Sequence, residues 1–347
     1  MSAAVAVAVA MFAGLAAYAL FGGADFGSGF YDLSAGGGRR GAEIRTQIDH
    51  SIGPVWEANH VWLIYVLVLA WTAYPTAFAA VMTTLQVPLL LALLGIVARG
   101  ASFAFRKFAP TYGQARLFGV VFAGSSLIAP FFLGTVAGSI ASGRVPAGGS
   151  GNPIDSWVNP TSLFTGAIAV GSCAFLAGAF LAADAARAGH LELSESLRKR
   201  ALAVGTVTGV LVVGALAPIR NDAPTLGAKL TGRAAPLIAL SVIAGTLALW
   251  LLLLRAYAWA RVGAVLAVAA VVAGWGVAQY PWLLVDQLRI TDGAGSPATL
   301  HALLVVVGLA AVLVLPALGY LYRLTQTSDW SGTEPGAGDE LGSISRE

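Results

Sequence analysis

The chain has 347 residues, of which 57% are hydrophobic and 11% charged, whereas a soluble domain carries about a quarter charged residues. Together with a mean hydropathy of +0.78, this excludes a soluble globular domain and predicts an all-α integral membrane protein. The net charge of +3 does not mark a nucleic-acid binder, because the basic residues sit in short connections between apolar runs, where they report topology. Cys173 is the single cysteine, which excludes an intrachain disulfide and a cysteine metal cluster.

Apolar runs of roughly 20 residues, enough to cross about 30 Å of hydrocarbon, predict nine transmembrane helices. In chain order they fall near residues 4–23, 54–75, 78–98, 116–142, 161–184, 201–219, 236–256, 261–283 and 299–322. The first run lacks a basic flank and reads as a retained helix, not a cleaved signal. Residues 1–324 are expected to form one polytopic domain, followed by a Gly-rich acidic tail, 325–347, expected to be disordered. Connections such as "GRVPAGGSGNPIDSWVNP" read as ordered surface turns.

With nine helices the termini lie on opposite sides. Fifteen Lys and Arg residues then share one side, Arg39, Arg40, Arg45, Arg99 and Arg106 among them. Only Arg144, Arg220, Lys229, Arg233 and Arg289 occupy the other. The positive-inside rule places the N-terminus outside and the C-terminus in the cytoplasm.

An ionisable side chain in the middle of a membrane helix costs about 2.5–3.5 kcal/mol on insertion scales, so each needs a partner or a task. The second helix opens with "GPVWEANHVWLI", and Pro54 suits its first turn, where no N–H is needed. Glu57 and His60, three residues apart, share a face, and Asn59 points elsewhere. This polar end lies on the cytoplasmic side. The first helix ends there at "GGADFGSGFYD", with Asp25, and the third ends there at Arg99. Asp25, Glu57, His60 and Arg99 are therefore expected to converge near the inner surface. Two readings follow: a proton entry point built on Asp25, Glu57 and His60 with Arg99 as the ion-pair partner, or a structural set in which Glu57 pairs with Arg99, Asp25 caps a loop and His60 is interfacial. No two histidines stand at a metal-clamping spacing, so no metal or cofactor site is expected in this chain. The glycines around residues 22–29 lack a preceding strand and a following GK[ST], and read as helix-packing residues.

Three elements carry a family resemblance: "GADFGSGFYDL", "RRGAEIRTQIDHSIGPVWEANHVWLI" and "ARGASFAFRKF". In order and spacing they resemble subunit II of the cytochrome bd quinol oxidases, over roughly residues 20–108, with a looser likeness in "QYPWLL" and the last helix. The resemblance implies a heterodimer in the bacterial plasma membrane. There a haem-bearing subunit I would hold the b and d haems and the quinol site, and this chain would bind no haem. It further implies that Glu57 matches a carboxylate on a cytoplasmic proton path, Asp25 the Asp of the first element and Arg99 the Arg of the third. Membrane lipid and a small accessory subunit are further expected partners. His60 and Ala104 stand where the family carries other residues. The alternative function is a secondary transporter, although such proteins place their sites at the bilayer midplane on broken helices, not at one edge.

Overall fold

A computed structural model describes residues 2–36, 38–52, 56–106 and 108–326, without the side chains of residues 52, 56, 57, 112, 322, 325 and 326. The expected helix start at Pro54 and the tail from residue 327 onward lie outside the described residues. The chain divides into two compact units, Met1–Leu303 and Leu304–Glu347. The described part of the second unit is helical.

Among the described residues, eight helices are long and apolar enough to cross a membrane, or nine if one bent pair counts as a single span. The first span comprises α1 (Ala3–Ala17), a π-helical turn (Tyr18–Gly22) and α2 (Gly23–Ser34). At 1.5 Å per residue its 32 residues measure about 48 Å. It therefore runs past the expected end at residue 23, and Asp25 lies within a helix, not in a loop. An amphipathic helix that the hydropathy windows do not register, α3 (Arg39–Ile52), follows.

α4 (Trp56–Ala73) and α5 (Pro75–Thr84) form the bent pair, meeting at 117°. Proline at the first position of α5 removes a helical N–H, and Tyr74 adopts φ −135°, ψ 59°, so the chain cannot continue as one helix here. The next span, α6 (Gln86–Arg106), is displaced by about two turns from the expected 78–98. Arg99 is consequently inside a helix, two turns before its end.

α7 (Tyr112–Ala141) and α8 (Pro160–Arg187) lie near their expected positions, whereas α9 (Leu191–Gly214) begins about three turns before the expected residue 201. Two short helices, α10 (Leu216–Asp222) and α11 (Pro224–Thr231), lead to α12 (Ala235–Leu253) and α13 (Tyr257–Gln279). The segment "QYPWLL", expected to finish a helix, instead enters an antiparallel hairpin of β1 (Trp282–Leu284) and β2 (Leu288–Arg289). The last helix is α14 (Pro297–Gln326).

The core is centred on α8, which packs against α2, α7, α9 and α13. In lipid there is no hydrophobic drive between helices, so close backbone approach through small residues supplies the packing. Gly27 on α2 faces the backbone carbonyl of Cys173 on α8, and Gly29 faces Ser126 on α7, so that a Cβ at either position would collide. These two contacts fix the depth and rotation of α2, and hence of Asp25.

Candidate functional site

Asp25 sits nine residues before the end of α2, about 13 Å along the axis, and is 3% exposed. Its carboxylate Oδ2 accepts a hydrogen bond from Asn59 Nδ2 at 2.9 Å, and the same amide donates to the Phe21 carbonyl at 3.3 Å. Asn59 lies about one turn from the start of α4 and is itself buried. The π-helical turn just before α2 shifts the helix register there. A bulge of this kind frequently marks a functional position.

Arg99 approaches from α6 and is 1% exposed. It donates to the Asp25 backbone carbonyl and to Ser126 Oγ, each at 3.2 Å. Its guanidinium lies 5.0 Å from the centroid of Phe26 and 5.2 Å from that of Phe122. The bond from Arg99 reaches the backbone oxygen of Asp25, so the carboxylate keeps a neutral amide as its direct donor while a buried positive charge stands beside it. Ser28 Oγ closes the set by donating to the Asp25 carbonyl at 2.6 Å.

His60 is half-buried, with its ring 6.0 Å from Phe26 and 6.2 Å from Tyr18, centroid to centroid. The Tyr18 hydroxyl is buried and has no hydrogen-bond partner among the described residues. Glu57 belongs to the first turn of α4, but its side chain lies outside the described residues.

Three of the four expected residues therefore gather as the sequence suggests, with one substitution of role. Asn59, assigned to another face, is the residue that holds Asp25, because α1–α2 packs on the Asn59 side of α4. A buried carboxylate on the neighbouring helix demands a donor at its own depth, and Asn59 is an uncharged donor at that level; that was the available signal.

A second charged layer went unnoticed in the sequence. Asp32, seven residues after Asp25, accepts from Arg45 at 2.8 Å and from Arg106 at 2.7 Å. Arg106, seven residues after Arg99, also pairs with Asp49 and stacks 5.3 Å from Phe122. Two turns of α2 and two turns of α6 thus run in step, one polar layer buried and the next near the surface. The equal spacing of Asp25 to Asp32 and of Arg99 to Arg106 was the sequence signal. At the opposite end of the helices, Asp222 receives both terminal nitrogens of Arg144, at 3.0 and 2.6 Å, and the Thr161 N–H at 3.1 Å, tying the connection after α7 to α8 and α10. No group of three or more His, Cys, Asp or Glu side chains is placed to hold a metal ion among the described residues.

This arrangement defines a class: a polytopic helical membrane protein with a buried acid, amide and guanidinium set at the charged end of its first helices. The sequence profile of the cytochrome bd terminal oxidase subunit II family matches residues 3–325, and the chain belongs to that family. It is similar to cytochrome bd ubiquinol oxidase subunit 2 of Bacillus subtilis, with 31% identity over 137 residues. That match spans 40% of this chain and 37% of the relative's length. The fold is similar to a chain in the structure of bd oxidase from Geobacillus thermodenitrificans, with a TM-score of 0.76 and 23% identity. The alignment covers 94% of this chain and 99% of that one.

Proposed function

We propose that this chain is the non-haem subunit of a quinol:oxygen oxidoreductase, and that its Asp25 site passes protons from the cytoplasm toward a haem-bearing partner. Family membership supports the first part. The observation that carries the second is the buried Asp25 carboxylate, whose direct side-chain donor is the neutral Asn59 amide. A carboxylate locked in a bidentate ion pair stays ionised. One held by an amide, with a guanidinium nearby, exchanges its proton at smaller cost, because the amide bonds either protonation state.

Asp25 and Asn59 lie at the end of the bundle that also carries Arg45 and Arg106, the face that the charge bias assigns to the cytoplasm. Glu57, in the first turn of α4, is the candidate step before Asp25, and His60, one residue beyond Asn59 and packed against Tyr18, is a candidate step after it. The Tyr18 hydroxyl beside His60 is a donor available to a bridging water. Oxygen reduction itself would take place on the b and d haems of the partner, as would quinol oxidation, so Asp25 handles protons and not electrons.

The test is to purify the tagged chain from its native membrane, record a reduced-minus-oxidised spectrum and assay quinol-dependent oxygen uptake. Haem features in a co-purifying partner are expected. A haem-free preparation without oxygen uptake refutes the proposal.

A further inference from the structure

On the face where positive charge is scarce, three of the five cations gather around one hairpin. Lys229, at the end of α11, places Nζ 5.9 Å from the ring centroid of Trp282. Arg289, cross-strand partner of Trp282, places Cζ 5.2 Å from the same ring. Arg233, just before α12, lies 5.5 Å from the ring of Tyr280.

The positive-inside rule offers no reason for cations here. The C-terminus of α13 supplies part of one, since Lys229 donates to the Tyr280 carbonyl at 3.4 Å and Arg233 to the Ala278 carbonyl at 3.2 Å. Each still has unused donors, and the side chain of Arg289 makes no hydrogen bond among the described residues. No carboxylate forms a salt bridge with any of the three, again among the described residues. Burial lowers the Lys229 ammonium from its ordinary value, the charge of Arg233 lowers it further, and Asp286 only partly opposes them. The site therefore gathers three cations that no carboxylate salt-bridges among the described residues, with Asp286 as the acid acting on Lys229.

We propose that Lys229, Arg233 and Arg289 bind the phosphate of an anionic phospholipid headgroup at this surface. The planar guanidinium of Arg289 suits bidentate contact with phosphate oxygens. Trp282 and the exposed Tyr280 belong to the residue types that sit at headgroup depth. The adjoining start of α12, from Ala235, is apolar. The site lies at the opposite end of the helices from Asp25, and its occupancy does not depend on the oxidase assignment.

The test uses the full chain in detergent, with whatever partner it brings, titrated with short-chain phosphatidylglycerol, phosphatidylcholine or inorganic phosphate and read by native mass spectrometry. Phosphatidylglycerol binding is expected to weaken about fivefold for each cation removed, so Arg289→Gln weakens it and K229Q/R233Q/R289Q weakens it further. Arg289→Lys, which keeps the charge but not the bidentate fork, is expected to bind between the wild type and Arg289→Gln, and phosphatidylcholine is expected to be unaffected by any of these changes. Equal phosphatidylglycerol binding by the wild type and Arg289→Gln overturns the proposal, as does displacement of the lipid by equimolar inorganic phosphate. Arg289→Gln removes no hydrogen bond among the described residues, so it carries the test even if the triple variant fails to fold.

Discussion

Replacing Arg99 by Met keeps most of the side-chain volume and removes the charge. Two hydrogen bonds are lost, to Ser126 and to the Asp25 carbonyl, together with contacts over Phe26 and Phe122. Asp25, 3% exposed, is left without the positive charge beside it. Removing one partner of a buried charge pair costs about 3–5 kcal/mol, whereas replacing both by neutral groups costs much less. Arg99→Met is therefore expected to lose about 3–5 kcal/mol, and D25N/R99M to recover about 2 kcal/mol or more of that loss as coupling energy. At about 2–4 °C per kcal/mol, the single variant should melt at least about 6 °C below the wild type. Thermal unfolding of the detergent-solubilised protein, followed by circular dichroism over the four proteins of the cycle, measures this. Additive effects of the two substitutions would refute the idea that Arg99 compensates a charged Asp25.

Asn59→Ala leaves Asp25 Oδ2 without its buried donor and is expected to cost about 1–3 kcal/mol, read as a lowered melting temperature with wild-type helicity. Asp32→Asn weakens the links to Arg45 and Arg106, a loss of about 1.5–3 kcal/mol for bonds to charged groups, and should speed proteolytic cleavage between α2 and α3. Gly27→Ala drives a methyl group into the Cys173 carbonyl and should cost about 1–3 kcal/mol or more by overpacking. The matched change Gly124→Ala, with nothing within 4 Å of the added atom, should be neutral or stabilising by up to about 1 kcal/mol. A melting comparison of the two separates packing from helix propensity.

The spans of α7 and α8 were legible because their apolar runs end in Gly, Pro and charged residues that punctuate them in sequence. The first half of the chain was harder to read for a physical reason. Gly23 to Ser34 carries two aspartates and three glycines, so hydropathy ends the first helix too early. The structure continues it because Gly27 and Gly29 let it pack against α8 and α7, and because Asn59, Arg45 and Arg106 satisfy the two acids. Hydropathy ends one span at Tyr74–Pro75 and starts the next at residue 78, whereas the 117° bend joins Pro75–Thr84 to α4 as a bent pair. A start at residue 78 shifts the third helix by about two turns and puts Arg99 at an end where it does not lie.

At the site, residue types and common depth were readable, and pairings were not. Helical spacing puts Glu57 and His60 on one face, but which face of α4 meets α2 depends on tertiary packing. That packing selected Asn59. The Asp32 and Arg106 layer needed the correct ends of α2 and α6, which the early helix terminations hid.

The central claim is that Asp25 transfers protons and does not merely hold α2 in place. Asp25→Asn preserves the shape and still offers an acceptor to Asn59, but it leaves the buried Arg99 uncompensated and should lower the melting temperature, so oxygen uptake is compared at equal haem content of the assembled complex. Quinol-dependent oxygen uptake should fall by about 100-fold or more, the range for loss of a positioned proton-transfer group. Unchanged oxygen uptake at full haem content would contradict the account.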